Sequence, residues 1–209
     1  MGTMAPRKTP YTPKHAPPEQ PLLFERHQVA HTDAKDFFPT PVPDGVRAIR
    51  GFCWDLVGAT VLDPSCGHGN LLEAARLAGA RRTLGLELSE ELASMASRKG
   101  HMVARVDALA VEWPRADFLL GNPPFSFGLA FATRAAEWAA RYERPAALLL
   151  ELDFLSTQQR RALHHTHPAK AHILSERISF MGGDGQTAKR NYMWLGWGIG
   201  FDPWTYEVW

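Results

Sequence analysis

Between Val57 and Leu152 the chain alternates short apolar runs with amphipathic stretches. Ala59–Leu62 is a strand-length apolar run that ends at Asp63, and Pro64–Gly69 is a turn of small residues. Asn70–Ala78 sets Leu71, Leu72, Ala75 and Ala78 on one helical face. Thr83–Leu88 predicts a second strand, with Glu87 near its end. Ser89, Glu90 and Glu91 then open a helix with a capping hydroxyl and two acids at the positive dipole end, and Gly100 closes it. Met102–Val106 predicts a third strand, followed by Asp107. Asp117–Leu120 predicts a fourth, running into Gly121-Asn122-Pro123-Pro124-Phe125. Leu129–Tyr142 reads as a helix that buries Phe131, Ala135, Trp138 and Ala139, and Ala146–Leu152 as a fifth strand. Ala171–Phe180 and Tyr192–Gly200 complete the pattern as two strands joined by the glycine-rich loop Met181–Asn191. The alternation predicts an α/β fold: a mostly parallel seven-stranded sheet with right-handed crossovers, a C-terminal antiparallel hairpin, and helices on both faces. Upstream, Pro6, Pro10, Pro13, Pro17, Pro18 and Pro21 remove backbone donors and fix φ. Residues 1–35 are therefore expected to be an extended or disordered tail, and 36–209 the folded domain.

With 209 residues, 45% of them hydrophobic and 11% aromatic, the chain can bury a sizeable core, which excludes wholesale disorder. Lys and Arg number 23 against 22 Asp and Glu, so no global field attracts a polyanion and any basic surface must be local. Cys53 and Cys66 cannot build a disulfide scaffold, and with no signal peptide they point to a reducing cytosol. No apolar run approaches the ~18 residues that a membrane helix needs.

The chemistry concentrates at the strand ends. In an open parallel sheet ligands bind beyond the carboxyl ends of the strands, at the point where the winding reverses. Four consecutive strands here end at Asp63, Glu87, Asp107 and Asn122. One acid after a strand is ordinarily a helix cap, a reading that stays open for Asp107. Four in series point to a shared crevice. In the turn Asp63-Pro64-Ser65-Cys66-Gly67-His68-Gly69, Gly67 and Gly69 permit close approach of backbone to a ligand. The turn lacks both the third glycine of a dinucleotide fingerprint and a Walker lysine. Glu87, eighteen residues beyond Gly69, is placed to accept both hydrogen bonds of a ribose diol. In Asn122-Pro123-Pro124-Phe125 the Asn122 side-chain oxygen and the Pro123 carbonyl could take both hydrogens of a planar amino group. Phe125 offers a stacking face for the ring that bears it; a rigid surface turn is the alternative.

These motifs resemble those of the amino-group-specific S-adenosylmethionine-dependent methyltransferases, most of all the gamma-type DNA adenine-N6 methyltransferases. Asp63–Gly69 resembles their motif I, Asn122–Phe125 their motif IV, and Phe37-Phe38-Pro39-Thr40-Pro41 their motif X, which in the gamma type precedes motif I. The resemblance covers residues 36–200 and implies a Rossmann-like methyltransferase fold with S-adenosyl-L-methionine as cofactor. By that resemblance Glu87 binds the cofactor ribose and Asp107 its adenine amino group. Asp63, Gly67 and Gly69 line the methionine portion, Phe38, Thr40 and Pro41 close over it, and Asn122 borders it. Asn122, Pro123 and Phe125 form the catalytic set that holds the target base. Ser65 and His68 carry no role.

The implied reaction is methylation of adenine N6 in DNA by base extrusion and in-line displacement, in a cytoplasmic protein of bacterial or phage origin. Cytosine N4 presents the same two hydrogens. Fewer than sixty residues follow the fifth strand, short of the large recognition domain many gamma-type enzymes append. Arg160, Arg161, Lys189 and Arg190 lie in this basic region and are candidates for phosphate contacts, with a solvated charged face as the alternative. His164, His165, His167 and His172 share the stretch, but without paired cysteines no metal site is expected. Other readings are an RNA amino-group methyltransferase (adenine N6 or guanine N2), a protein-glutamine methyltransferase, and a non-catalytic nucleic-acid-binding subunit.

Overall fold

The computed structural model describes residues 38–156, 158–176, 178, 180, 190–198 and 206–208. The proline-rich tail 1–35, Phe37, Arg177 and most of the hairpin loop, including Lys189, lie outside the described residues. Strands β1 (Thr60–Asp63), β2 (Arg82–Glu87), β3 (Met102–Arg105), β4 (Phe118–Gly121) and β5 (Ala146–Glu151) form a parallel array. Helices α2 (Asn70–Leu77), α3 (Glu90–Arg98) and α4 (Gly128–Tyr142) lie between successive strands of this array. Ser89 caps α3, its side chain accepting from Leu92 N at 3.3 Å, as its position before two acids predicts.

The sheet continues through β7 (Tyr192–Trp197), antiparallel to both β5 and β6 (Lys170–Ile173), and ends at the three-residue β8 (Tyr206–Val208), parallel to β6. The full order is β3-β2-β1-β4-β5-β7-β6-β8. The mostly parallel α/β sheet expected from the sequence is present, with the antiparallel C-terminal pair in place and one short edge strand added to the expected seven. The strand expected over Ala171–Phe180 stops at Ile173. The chain bends at Ser175, and exposed Glu176 pairs with Arg47 at 2.9 Å.

Alternating strand residues feed two cores. Leu62, Leu119, Leu148, Leu150 and Leu195 pack with Phe131, Ala135, Trp138 and Ala139 of α4. Val61, Leu120, Leu149 and Trp194 pack on the other face with Ile49 of α1 (Val42–Gly51) and with Leu71 and Ala75 of α2. A continuous apolar run such as Ala146–Leu150 is what a strand covered on both faces requires. Helix α1, which no periodicity announced, begins with Pro43 in its first turn, where a missing N–H costs nothing. Among the described residues no helix is long and apolar enough to cross a membrane.

Candidate active site

The order β3-β2-β1-β4 brings Asp107, Glu87, Asp63 and Asn122 side by side along the carboxyl edge of the sheet. The winding reverses between β1 and β4, so Asp63 and Asn122 flank the crevice. Gly121, at the end of β4, makes this juxtaposition possible: a Cβ there would lie 3.3 Å from Asp63 Oδ1 and 3.2 Å from Pro64 Cδ.

Hydrogen bonds hold the turn after β1 in shape. Ser65 N donates to Asp63 Oδ1 at 3.0 Å, Cys66 N to Leu86 O at 3.0 Å, and Gly67 N to Glu87 Oε2 at 2.8 Å. Ser89 N donates to the other Glu87 oxygen at 2.8 Å. Each carboxylate oxygen has a second lone pair, so Glu87 keeps acceptor capacity for two hydroxyls. Asp63 is 2% exposed, and burial pushes its carboxyl up to about 7; the Ser65 N–H opposes that shift and the neighbouring Glu87 adds to it. Gly69 adopts φ +88°, and a Cβ on it would meet His101 Cδ2 at 2.8 Å. Packing against the α3–β3 corner therefore demands this glycine, whatever else the turn binds. Lys99, at the end of α3, donates to the His68 carbonyl at 2.8 Å.

Cys66 is buried, and desolvation, reinforced by Asp63 and Glu87, pushes its thiol well up, away from nucleophilic duty. Its sulfur instead fills a notch over β2: a Cβ at Gly85 would lie 2.5 Å from Cys66 Sγ and 3.1 Å from Leu72 Cδ1. Gly85→Ala is accordingly expected to destabilise the protein by about 1–3 kcal/mol through overpacking. Adding Cys66→Ala to it is expected to recover part of that loss. Urea unfolding of the two variants checks this; strictly additive losses would mean that the sulfur does not press on the notch.

Asn122 carries the least ordinary bonding. Its Nδ2 donates to the Phe38 carbonyl at 2.7 Å and to Thr40 Oγ1 at 3.0 Å. Because a carbonyl only accepts, the amide orientation is determined. Oδ1 points the other way, buried and with no hydrogen-bond partner among the described residues. Pro123 is buried beside it, and the next carbonyl, that of Pro124, is taken by Phe127 N at 3.0 Å.

The Phe125 ring is half-buried in an aromatic cluster. Phe38 stacks on it with centroids 5.8 Å apart and planes 24° from parallel, while Tyr192 lies 5.3 Å and Phe180 6.5 Å away. The stacking face expected on Phe125 is thus covered by Phe38, so a planar ring entering there must displace that side chain. Of the segment expected to close over a cofactor, Phe38 and Thr40 engage the Asn122-Phe125 motif. Pro41 accepts from Asp44 N at 3.0 Å as the entry to α1.

Asp107 accepts from Leu109 N at 2.8 Å through one oxygen, so it caps the turn after β3 as well as facing the edge. That turn is braced by Arg134 on α4, which donates to the Ala108 and Val111 carbonyls, both at 2.7 Å, and lies over Trp113. Three of the basic candidates lie among the described residues, and each is engaged within the protein. Arg160 lies 4.2 Å over the Phe154 ring, Arg161 bonds His165 within α5 (Arg161–Thr166), and exposed Arg190 pairs with Glu151 at the end of β5. His172, on β6, is buried edge-on to Phe52, whereas His164, on the neighbouring α5, lies edge-on to Phe154. Among the described residues no three His, Cys, Asp or Glu side chains gather as metal ligands. Sequence reasoning missed Asn70, Lys99, Phe180 and Tyr192, all of which support the site through contacts between distant segments. Only Asn70 had a local signal, its place directly after the Gly67-His68-Gly69 turn.

No family model matches the sequence, and no curated protein matches it either. Solved structures do. A Pyrococcus horikoshii protein described as an RNA methyltransferase superposes with a TM-score of 0.58 at 18% identity, over 75% of this chain and 82% of its own. A modification subunit from Vibrio vulnificus, of an assembly described as a type I restriction enzyme, gives 0.59 at 17% identity over 85% of this chain. The match spans 48% of the Vibrio subunit. A dimethyladenosine transferase from Plasmodium falciparum gives 0.54 at 14% identity, over 78% and 62% of the two chains. These likenesses establish the fold as that of Rossmann-like methyltransferases.

Proposed function

We propose that this protein is an S-adenosylmethionine-dependent methyltransferase that modifies the exocyclic N6 amino group of adenine in DNA. The observation that carries the reading is Asn122 Oδ1: a buried acceptor, unpartnered among the described residues and held by two bonds to the other end of its amide. Leaving such an atom unsatisfied costs about 1–3 kcal/mol, so its natural counterpart is a donor brought by a substrate. An amino nitrogen conjugated to a purine is a poor nucleophile. An acceptor on its hydrogen favours a more tetrahedral nitrogen and balances the positive charge that develops on it. Pro123 is the candidate for a second acceptor, and the stiff Pro-Pro backbone holds both in place.

The cofactor supplies an electrophilic methyl group on sulfur. The residues along the sheet edge suit its parts. Glu87 retains lone pairs for a diol, and Asp107 presents a carboxylate to an amino group. Asp63 lies buried where a cationic ammonium would stabilise its charged form. Because adenine N6 lies inside the duplex, the base must be extruded to reach Asn122. Its stacking on Phe125 after displacing Phe38 would replace about 1–3 kcal/mol of the interaction lost. Arg160, Arg161, Lys189 and Arg190 are proposed phosphate contacts, and Arg190, whose own side chain is exposed, would exchange its pair with half-buried Glu151 for a phosphate.

RNA adenine is the second reading, favoured by the described RNA methyltransferase and the dimethyladenosine transferase among the structural neighbours. Incubation with labelled S-adenosylmethionine and, separately, duplex DNA, single-stranded DNA, RNA and protein tests both. N6-methyladenine in DNA supports the first, and label only in RNA transfers the assignment to the second. Glu87→Ala is expected to weaken cofactor binding at least tenfold, since each bond to a charged acceptor contributes about 1.5–3 kcal/mol. Calorimetry showing unchanged affinity would remove Glu87 from the cofactor site.

A further inference from the structure

We propose that Thr40 is a positioning residue for the acceptor amide, holding Asn122 so that Oδ1 faces the incoming amino group. The inference rests on the methyl-transfer reading above for its effect on rate, but its geometric content stands separately. Thr40 is 2% exposed although it lies on an irregular segment ahead of α1. Both of its oxygens are used: Oγ1 accepts from Asn122 Nδ2 at 3.0 Å, and the backbone carbonyl accepts from Asn70 Nδ2 at 2.9 Å. Asn70, 8% exposed, opens α2, and Lys99 Nζ lies 3.5 Å from its Oδ1 while bonding the His68 carbonyl at 2.8 Å.

The division of labour follows from donor and acceptor chemistry. The Phe38 carbonyl can only accept, so it determines which end of the Asn122 amide faces the 38–40 segment. One bond alone leaves the amide free to pivot. The Thr40 hydroxyl oxygen accepts the second N–H, completing a two-point hold that directs Oδ1 away from that segment. Thr40 is in turn fixed by Asn70, so the helix that begins at the glycine turn and the motif that ends β4 share one strut. The hydroxyl that motif position alone would assign to the cofactor accepts from the acceptor amide.

Thr40→Val keeps the shape of the side chain and removes the acceptor; Thr40→Ser keeps the acceptor. With the reaction running, Thr40→Val is expected to lower kcat about 10- to 100-fold at saturating cofactor, the scale of a small misplacement of a reacting group. Cofactor affinity and KM for nucleic acid are expected to stay within about threefold, and Thr40→Ser to restore most of kcat. A loss of cofactor affinity with kcat unchanged would overturn the proposal and make Thr40 a cofactor contact. A second measurement needs no turnover. The side-chain NH2 signals of Asn122, assigned by their disappearance in Asn122→Asp, are expected to exchange with water at least about tenfold faster in Thr40→Val than in wild type or Thr40→Ser. Unchanged exchange would also overturn the proposal. If Thr40→Val does not fold, Thr40→Ala carries the same readouts. Should wild type transfer no methyl group to any substrate, the function reading fails, and amide exchange still decides the role of Thr40.

Discussion

Asn122→Ala is expected to lower the rate of methyl transfer by at least about 10²–10³-fold, the cost of removing one preorganised group aimed at developing charge. Cofactor affinity is expected to change less than about twofold. The asymmetry follows from the position of the side chain. Its Nδ2 is spent on Phe38 and Thr40, and its Oδ1 is a buried acceptor without a partner among the described residues, whereas the candidate ribose acceptor is Glu87, two strands away. Truncation leaves the Phe38 carbonyl and the Thr40 hydroxyl without their donor, a loss of about 1–3 kcal/mol that thermal melting will register. Single-turnover transfer with calorimetric binding of the cofactor separates the two effects. Near-normal turnover in this variant would mean that the buried amide oxygen is not the acceptor and would overturn the amino-group mechanism.

The second large effect is a pH dependence of stability set by Asp63. Its carboxyl is raised from its ordinary value of 3.8 to about 7 by burial, so the folded state binds a proton that the unfolded state has released throughout that window. Stability therefore falls as pH rises from about 4 to about 7 and levels off above, where the full cost, on the order of 4 kcal/mol, is present. His68 and His101 act in the opposite sense. Burial lowers both, so they oppose folding as pH falls below the usual histidine range. Comparing wild type with Asp63→Asn cancels the histidine contribution. The variant is expected to gain relative stability progressively between pH 4.5 and 8 while losing cofactor affinity. A wild-type-to-variant difference that is flat across that range would place the Asp63 titration outside it. Saturating cofactor is expected to reduce the difference, because a bound ammonium would favour the charged carboxylate.

The parallel half of the sheet was legible because each strand is a short apolar run closed by an acid or an amide. The residues that end the first four runs lie side by side at the carboxyl edge, so one pattern predicted both the strands and the candidate site. Helix α1 was not legible: proline and glycine ordinarily disfavour a helix, yet Pro43 occupies the first turn and Gly45 packs where a Cβ would lie 2.7 Å from Ala74 Cβ. The Gly-x-Gly spacing predicts close approach of a ligand, but it does not encode the φ of +88° at Gly69 or its packing on His101. The clamp on Asn122 could not have been read at all. Thr40 and Asn122 stand 82 residues apart, and no local periodicity encodes which oxygen a distant amide will find. The same holds for the Phe38, Phe125, Phe180 and Tyr192 cluster, whose members come from four segments.

The position of β7 between β5 and β6 bears on how the chain can be made. During synthesis β5 emerges with one edge paired to β4, and its other edge must wait for a partner. The partner is not the next strand, β6, but β7, whose first residue, Tyr192, comes 41 positions after Glu151. At about 5–20 residues per second, the apolar Ala146–Leu150 segment presents an open edge for roughly two to eight seconds on each nascent chain. A premature pairing of β6 with that edge would have to be undone before β7 could enter. Translation speed over residues 152–197 is thus expected to govern the yield of native protein. Slow codons there lengthen the exposure of that edge, and supplying the 190–198 segment as a separate peptide to a chain stopped at 176 offers a direct way to close it.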